Sequence, residues 1–138
     1  MIVADTSLIA AFFLETELTP LAKRVHKKAP IWIFPPLWKE EYANVLAKLT
    51  RKSSVSTIDK AVSHFEYTLE ELEKYERKVN LSQVLRLALQ CKISVYDAHF
   101  VQVAIDNQMI LVTEDQEIIK KCPQHAQSMQ NFLQSEHK

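Results

Sequence analysis

Residues 1–7, MIVADTS, decide the fold of this chain. Ile2, Val3 and Ala4 form a short apolar run that only a core can accept, and Asp5 ends it. Such a run, bounded by a polar break, reads as a buried strand of a parallel sheet. A carboxylate directly after it emerges at the carboxyl end of the strand, where open α/β sheets bind ligands. The pattern recurs at 109–112, Met-Ile-Leu-Val, which runs into Thr113-Glu114-Asp115. A briefer apolar run, Ile31-Trp32-Ile33-Phe34, stands between prolines and reads as a second strand.

The segments between these runs carry helical signals. Residues 8–14 read as a short, largely buried helix capped by Thr6 or Ser7. Thr19-Pro20 opens a helix to about Lys28, with Thr as the cap and Pro at the first position. Its basic side holds Lys23, Arg24, Lys27 and Lys28. Pro35-Pro36 opens a long helix to about Lys52. At about 100° per residue, Trp38, Tyr42, Val45, Leu46 and Leu49 fall on one face. Glu40 points nearly opposite and Glu41 lies on the flank, which favours Glu41 as the functional acid. Ser56 and Asp59 make a capping-box pattern before the stripe Ile58, Val62, Phe65, Leu69 and Leu72. The densely charged stretch 67–78 reads as a solvated helix face. Ser82 begins a helix to about Gln90, Ser94 begins another over 95–105, and a short one follows Asp115 until Pro123. The tail predicts an edge strand at 126–129 and a final turn. Strands alternating with helices make one α/β domain over 1–138, a parallel sheet covered on both faces.

Composition narrows the function. The chain has 138 residues, 47% hydrophobic and 25% charged, the balance of an ordinary globular domain. Lys+Arg and Asp+Glu stand at 17 each, so bulk charge does not drive nucleic-acid binding, although local patches can. No apolar run approaches the roughly 20 residues of a membrane span, and no signal-peptide pattern is present; a cytoplasmic domain is expected. Glycine is absent, which excludes the Gly-rich phosphate loop and the dinucleotide fingerprint. Left-handed helix ends are then expected at Asn80 and Asn107, asparagine being the next most tolerant residue. Cys91 and Cys122 read as reduced thiols. Only Cys122 and His125 approach zinc-ligand spacing, and no second pair exists.

Each acid has a plain explanation. Asp5 suits a helix cap, Asp97 the third helical residue of a capping box begun by Ser94, and Asp115 the positive end of a helix. Glu41 suits a solvated surface. Their conjunction carries more. Asp5 and Asp115 each follow an apolar strand and emerge along one sheet edge, while Glu41 and Asp97 lie in the early turns of helices packed on that sheet. Four carboxylates in one cleft repel one another unless a cation sits among them. Oxygen ligands without His or Cys suit Mg²⁺ or Mn²⁺, and such a site supports phosphodiester hydrolysis.

In order, MIVADTS, PPLWKEEYANVLAKL, ISVYDAHFVQVA and ILVTEDQEI resemble the four acidic motifs of PIN-domain ribonucleases, most like the VapC-type toxins of toxin–antitoxin modules. The match spans about residues 1–121. The resemblance implies a three-layer α/β/α sandwich with a central parallel sheet. It implies Asp5, Glu41, Asp97 and Asp115 as the catalytic acids, with Asp5 and Asp97 as central metal ligands and Asp115 and Glu41 acting directly or through water. It implies that Thr6 or Ser7, together with Thr113 and Asn44, supports the carboxylates from behind. No organic cofactor is expected. The resemblance further implies an RNA substrate, a homodimer and an antitoxin protein, and no membrane. Two departures are visible: Asn107 and Gln108 stand where many relatives have glycine, and 66–79 is more charged and helical than expected.

Lys23, Arg24, Lys27, Lys28, Lys48, Arg51 and Lys52 are candidate phosphate contacts. Tyr96 and His99 read as a core aromatic and an exposed helix residue rather than as substrate contacts. The helices 19–28 and 35–52 are expected to frame an antitoxin groove, with Trp38 and Phe13 as anchors whose alternative is core packing. A haloacid-dehalogenase-type phosphatase needs a second Asp two positions after the first, where Ser7 stands. A receiver domain needs adjacent acids after its first strand. The surviving rivals are a non-catalytic PIN-like RNA- or protein-binding module and a PIN nuclease of RNA processing without an antitoxin.

Overall fold

A computed structural model describes residues 1–135. Four short parallel strands form its centre: β1 (Ile2–Ala4), β2 (Trp32–Ile33), β3 (Leu111–Val112) and β4 (Ala126–Gln127). Their order across the sheet is β2-β1-β3-β4. Val3 sits in register with Ile33 on one side and Leu111 on the other, and Leu111 with Ala126. The expected apolar runs therefore became strands, trimmed to the residues that pair with a neighbouring strand. Phe34 continues the β2 edge by bridging to Glu76 in parallel, and its carbonyl accepts from Arg77 N at 2.8 Å.

Eight helices flank the sheet among the described residues: α1 (Thr6–Phe13), α2 (Thr19–Lys28), α3 (Trp38–Lys52), α4 (Ile58–Leu72), α5 (Leu81–Cys91), α6 (Val95–Asn107), α7 (Gln116–Lys121) and α8 (Met129–Gln134). The chain is thus an α/β sandwich with a central parallel sheet. One group, α1, α2, α3 and α8, packs among itself, and a second pairs α5 with α6. Both α1 and α6 lie on β1. Helix α6 is nearly enclosed, with Ala98, Phe100, Val101, Val103 and Ala104 all buried, as expected of a helix apolar on most sides. The largest wholly buried side chains are Trp38, Tyr42 and Phe34, their rings packed at a tilt in a row. Tyr42 shares a 2.8 Å hydrogen bond with His64 Nε2, and burial pushes its hydroxyl up to about 12. No helix among the described residues is long and apolar enough to cross a membrane.

Several local expectations change. Of the expected caps of α1, Asp5 serves and Thr6 and Ser7 do not: its side chain accepts from Leu8 N. Thr19 does not cap α2. Its buried hydroxyl donates to the Ala11 and Leu14 carbonyls and ties α1 to α2. Thr57, not Ser56, caps α4 by accepting from Lys60 N. The stripe on α4 is covered only in its second half, since Ile58 and Val62 are exposed. Leu85 and Leu89, within the apolar set of α5, are exposed too. Glu76 lies within the charged stretch yet is no solvated residue: it accepts from the Trp38 indole at 2.8 Å and pairs with Lys39 at 3.1 Å. Pro36 is followed by a turn, so α3 starts only at Trp38. The tail pairs only Ala126–Gln127, and the final turn is the helix α8.

The left-handed helix ends fall on Lys92 (φ 60°) and Gln108 (φ 54°), not on asparagine. Asn80 instead caps α5 through Gln83 N, and Asn107 donates to the Val103 carbonyl from the last residue of α6. A side chain bearing Cβ pays roughly 1–2 kcal/mol for this backbone. Replacing Gln108 with glycine should therefore raise the unfolding free energy by about 1 kcal/mol, the entropy of a freer unfolded chain offsetting part of the relief. Urea denaturation should show a higher midpoint at unchanged slope.

Candidate functional site

The chain winds from β1 outward to β2, then crosses back past β1 to β3 and on to β4, so the strand order reverses between β1 and β3. The crevice outside the carboxyl ends of these strands is where such sheets admit ligands. Asp5 closes β1 there and is only 8% exposed. Its Oδ1 accepts from Ser7 Oγ at 2.6 Å and from Leu8 N at 2.9 Å, and its Oδ2 accepts from Thr113 Oγ1. Thr113, wholly buried just past β3, also accepts from Asp115 N at 3.0 Å. One hydroxyl thus joins the acids that follow two neighbouring strands.

Asp115 caps α7, its Oδ1 accepting from Glu117 N at 2.9 Å and from Ile118 N at 3.3 Å. Glu41 sits in the first turn of α3, and its Oε1 accepts from Thr6 Oγ1 at 2.6 Å. Asp97 sits in the first turn of α6, where its backbone N donates to Ser94 Oγ at 3.0 Å. The four acids, with Ser7 and Asn44, line one cavity of about 310 Å³, and Val45, Phe100 and Ile118 give it an apolar wall.

Electrostatics mark the same cavity. Burial pushes the Asp5 carboxyl up, against the lowering effect of its three hydrogen bonds, and the Asp115 charge adds to the rise. Glu41 is raised by burial and then by Asp97 and Asp5, while Thr6 and His99 pull it down. Asp97 is raised by burial first and by Asp115 next. Asp115 raises Asp5 and Asp97, and those two raise Glu41, so the set is short of positive charge. The donors are carboxylate, hydroxyl and amide oxygens, a chemistry that fits a hard divalent cation. Among the described residues, no three Asp, Glu, His or Cys side chains already form a metal-holding group; the acids share a cavity without closing a cage.

Other expected contacts fall elsewhere. None of the seven candidate cations lines this cavity. Lys28 is taken by the end of α8, donating to the Phe132 and Ser135 carbonyls at 2.6 and 2.5 Å. Tyr96 is 63% exposed and so is no core aromatic. His99 is half-buried, its Nδ1 2.7 Å from the Val95 carbonyl, and it lines a separate cavity with Glu40. Trp38 is wholly buried and cannot anchor a partner. The apolar wall was not anticipated; Phe100 and Ile118 stand one helical turn beyond Asp97 and Asp115, a spacing that could have suggested them.

The family model described as PIN domain matches residues 2–122. The crystal structure of PAE2754 from Pyrobaculum aerophilum superposes with a TM-score of 0.73 at 23% identity, covering 95% of this chain and 90% of that one. At that identity the likeness concerns the fold. No match is found among the curated proteins.

Raised carboxyls bind protons more tightly in the folded chain than in the unfolded one. Between their ordinary range, near 3.8 for Asp, and their raised values, stability falls as pH rises. In EDTA at neutral pH, Asp97→Asn should therefore melt about 3 °C higher than wild type and lose that advantage as the pH is lowered. Added Mn²⁺ should raise the wild-type midpoint more than that of the variant. Differential scanning calorimetry checks all three.

Proposed function

This chain belongs to the PIN-domain family, and from that premise we propose that it is a divalent-cation-dependent ribonuclease, the VapC-type toxin of a toxin–antitoxin pair. PIN domains are typically nucleases and generally use divalent metal ions. The observation that carries the reading is the shared cavity: acids from the ends of β1 and β3 and from the first turns of α3 and α6 line it together.

Asp5, Asp97 and Asp115 would hold Mg²⁺ or Mn²⁺. That ion, when bound, supplies positive charge against the charge growing on the phosphate and makes water more acidic. The protein's own part is positional. Ser7, Leu8 N and Thr113 fix both oxygens of Asp5, so the buried carboxylate does not have to reorganise during reaction. Glu41 keeps Oε1 on Thr6, and its raised proton affinity suits Oε2 to take the proton from an attacking water. Asn44, one helical turn beyond Glu41, offers an amide to the phosphate. Val45, Phe100 and Ile118 keep one side of the cavity dry, which strengthens every charge interaction in it.

A second copy of the chain and an antitoxin belong to the same proposal. Leu81, Leu85 and Leu89 recur every fourth residue along α5 and are all more than half exposed, an apolar stripe that a homodimer would cover.

Cleavage of structured RNA should appear with Mn²⁺ or Mg²⁺ and vanish in EDTA. Asp97→Asn should lower the rate by about 10²–10⁴-fold, and Thr113→Val, which frees Asp5 Oδ2, by about 10–100-fold. Equal activity in wild type and Asp97→Asn, or none in either, would replace the nuclease with a non-catalytic PIN-like binding module. Cleavage by a protein encoded without a neighbouring antitoxin would favour RNA processing.

A further inference from the structure

A third cavity, of about 320 Å³, lies at the far end of α1 from the acids. Its size is at the lower end of the range for small-ligand sites. Its walls are aromatic to an unusual degree. Phe12, Phe13, His26, Trp32, Tyr67 and Tyr75 reach it from five separate segments. Phe12 packs at 4.7 Å from His26 and 5.3 Å from Trp32, and edge-on at 5.1 Å to Phe13. Trp32 is buried in the inner wall, whereas Tyr67 stands at the mouth, 57% exposed. Glu71, one turn along α4 from Tyr67, also lines the cavity, as does Lys74, whose ammonium lies 5.5 Å over the Tyr75 ring.

We propose that this cavity is a subsite for an unpaired RNA base, which stacks on Tyr67 and presents its polar edge to Glu71. The proposal rests on the ribonuclease reading and extends it to how substrate is held. An oily protein anchor would need only apolar walls; here a carboxylate acceptor and an imidazole stand among the rings. Glu71 accepts hydrogen bonds, so it favours bases that display amino groups, adenine, cytosine and guanine, over uracil. The surroundings suit the attached phosphates. Lys23 precedes His26 by one turn of α2 and Lys27 follows it directly, both exposed. Neither takes part in the two salt bridges found among the described residues, Lys39–Glu76 and Lys121–Glu117. The two cavities are also held in a fixed relation. Helix α1 carries Thr6 at one and Phe13 at the other, roughly 10 Å apart along its axis at 1.5 Å per residue, a separation that a short single strand covers. Aromatic platforms beside a cationic track are how single strands are gripped without a duplex.

Binding of short fluorescent RNA oligomers, each of one base, is measured by anisotropy in full-length Asp97→Asn protein. Adding Tyr67→Ala should weaken binding about tenfold with the melting temperature unchanged, because that ring is exposed. Tyr67→Phe keeps the stacking face and should restore affinity. Glu71→Gln should erase the preference for amino-bearing bases over uridine. In the active protein, Tyr67→Ala should raise KM and spare kcat. If Asp97→Asn binds RNA and the added Tyr67→Ala leaves that binding unchanged, the subsite is wrong, while cleavage by wild type keeps the ribonuclease reading. If Asp97→Asn binds no RNA and wild type cleaves none, both fall. Unchanged RNA binding by Tyr67→Ala, with lost binding of a purified antitoxin, would assign the cavity to a protein side chain and overturn the proposal.

Discussion

Burying one carboxylate at the end of the first strand is the constraint that organises this molecule. Asp5 leaves water almost completely, and an unpartnered ionised acid there would be prohibitively costly. Its two oxygens are therefore met by a hydroxyl and an amide from its own helix start and by Thr113 from the neighbouring strand. These partners fix more than a side chain. They tie the exit of β1 to the exit of β3, and Thr113 extends the tie to Asp115. Thr6, the next residue along, reaches across to Glu41 and brings in α3. The fold and the acidic cavity are in this sense one hydrogen-bond arrangement seen from two sides.

The acids are nevertheless poor neighbours. Hydrogen bonds satisfy individual oxygens, but neighbouring charges still raise Asp5, Glu41 and Asp97. A site stabilised by local donors and strained by mutual repulsion can persist with nothing bound while retaining a strong bias toward a cation.

How much of this could be read from the residues alone depends on whether the deciding interaction was local. Asp5 and Asp115 stand directly after apolar runs, and Asp97 stands three residues after a serine that caps its helix, so their places at strand ends and helix starts were legible. Glu41 was separated from Glu40 by periodicity alone. Gln108 and Lys92 carry no signature of a left-handed backbone; with no glycine to mark the helix ends, asparagine was the reasonable and incorrect choice. Glu76 was hidden among like residues, its distinction being a tryptophan nearly forty positions earlier. The aromatic cavity was invisible for the same reason, since its rings come from α1, α2, β2, α4 and the turn after it.

The edge of the sheet beside β2 carries a consequence for assembly. Phe34 hands its carbonyl to Arg77, and the Glu76 segment lies alongside like a fifth rung, pinned by Trp38 and Lys39. A border capped at Phe34 and otherwise only two residues long offers little bare ladder to another polypeptide, and the opposite border, β4, is as short. Growth by strand addition is thereby discouraged on both flanks. What the fold leaves open for contact is helix faces and their side chains, set around the crevice above the strands.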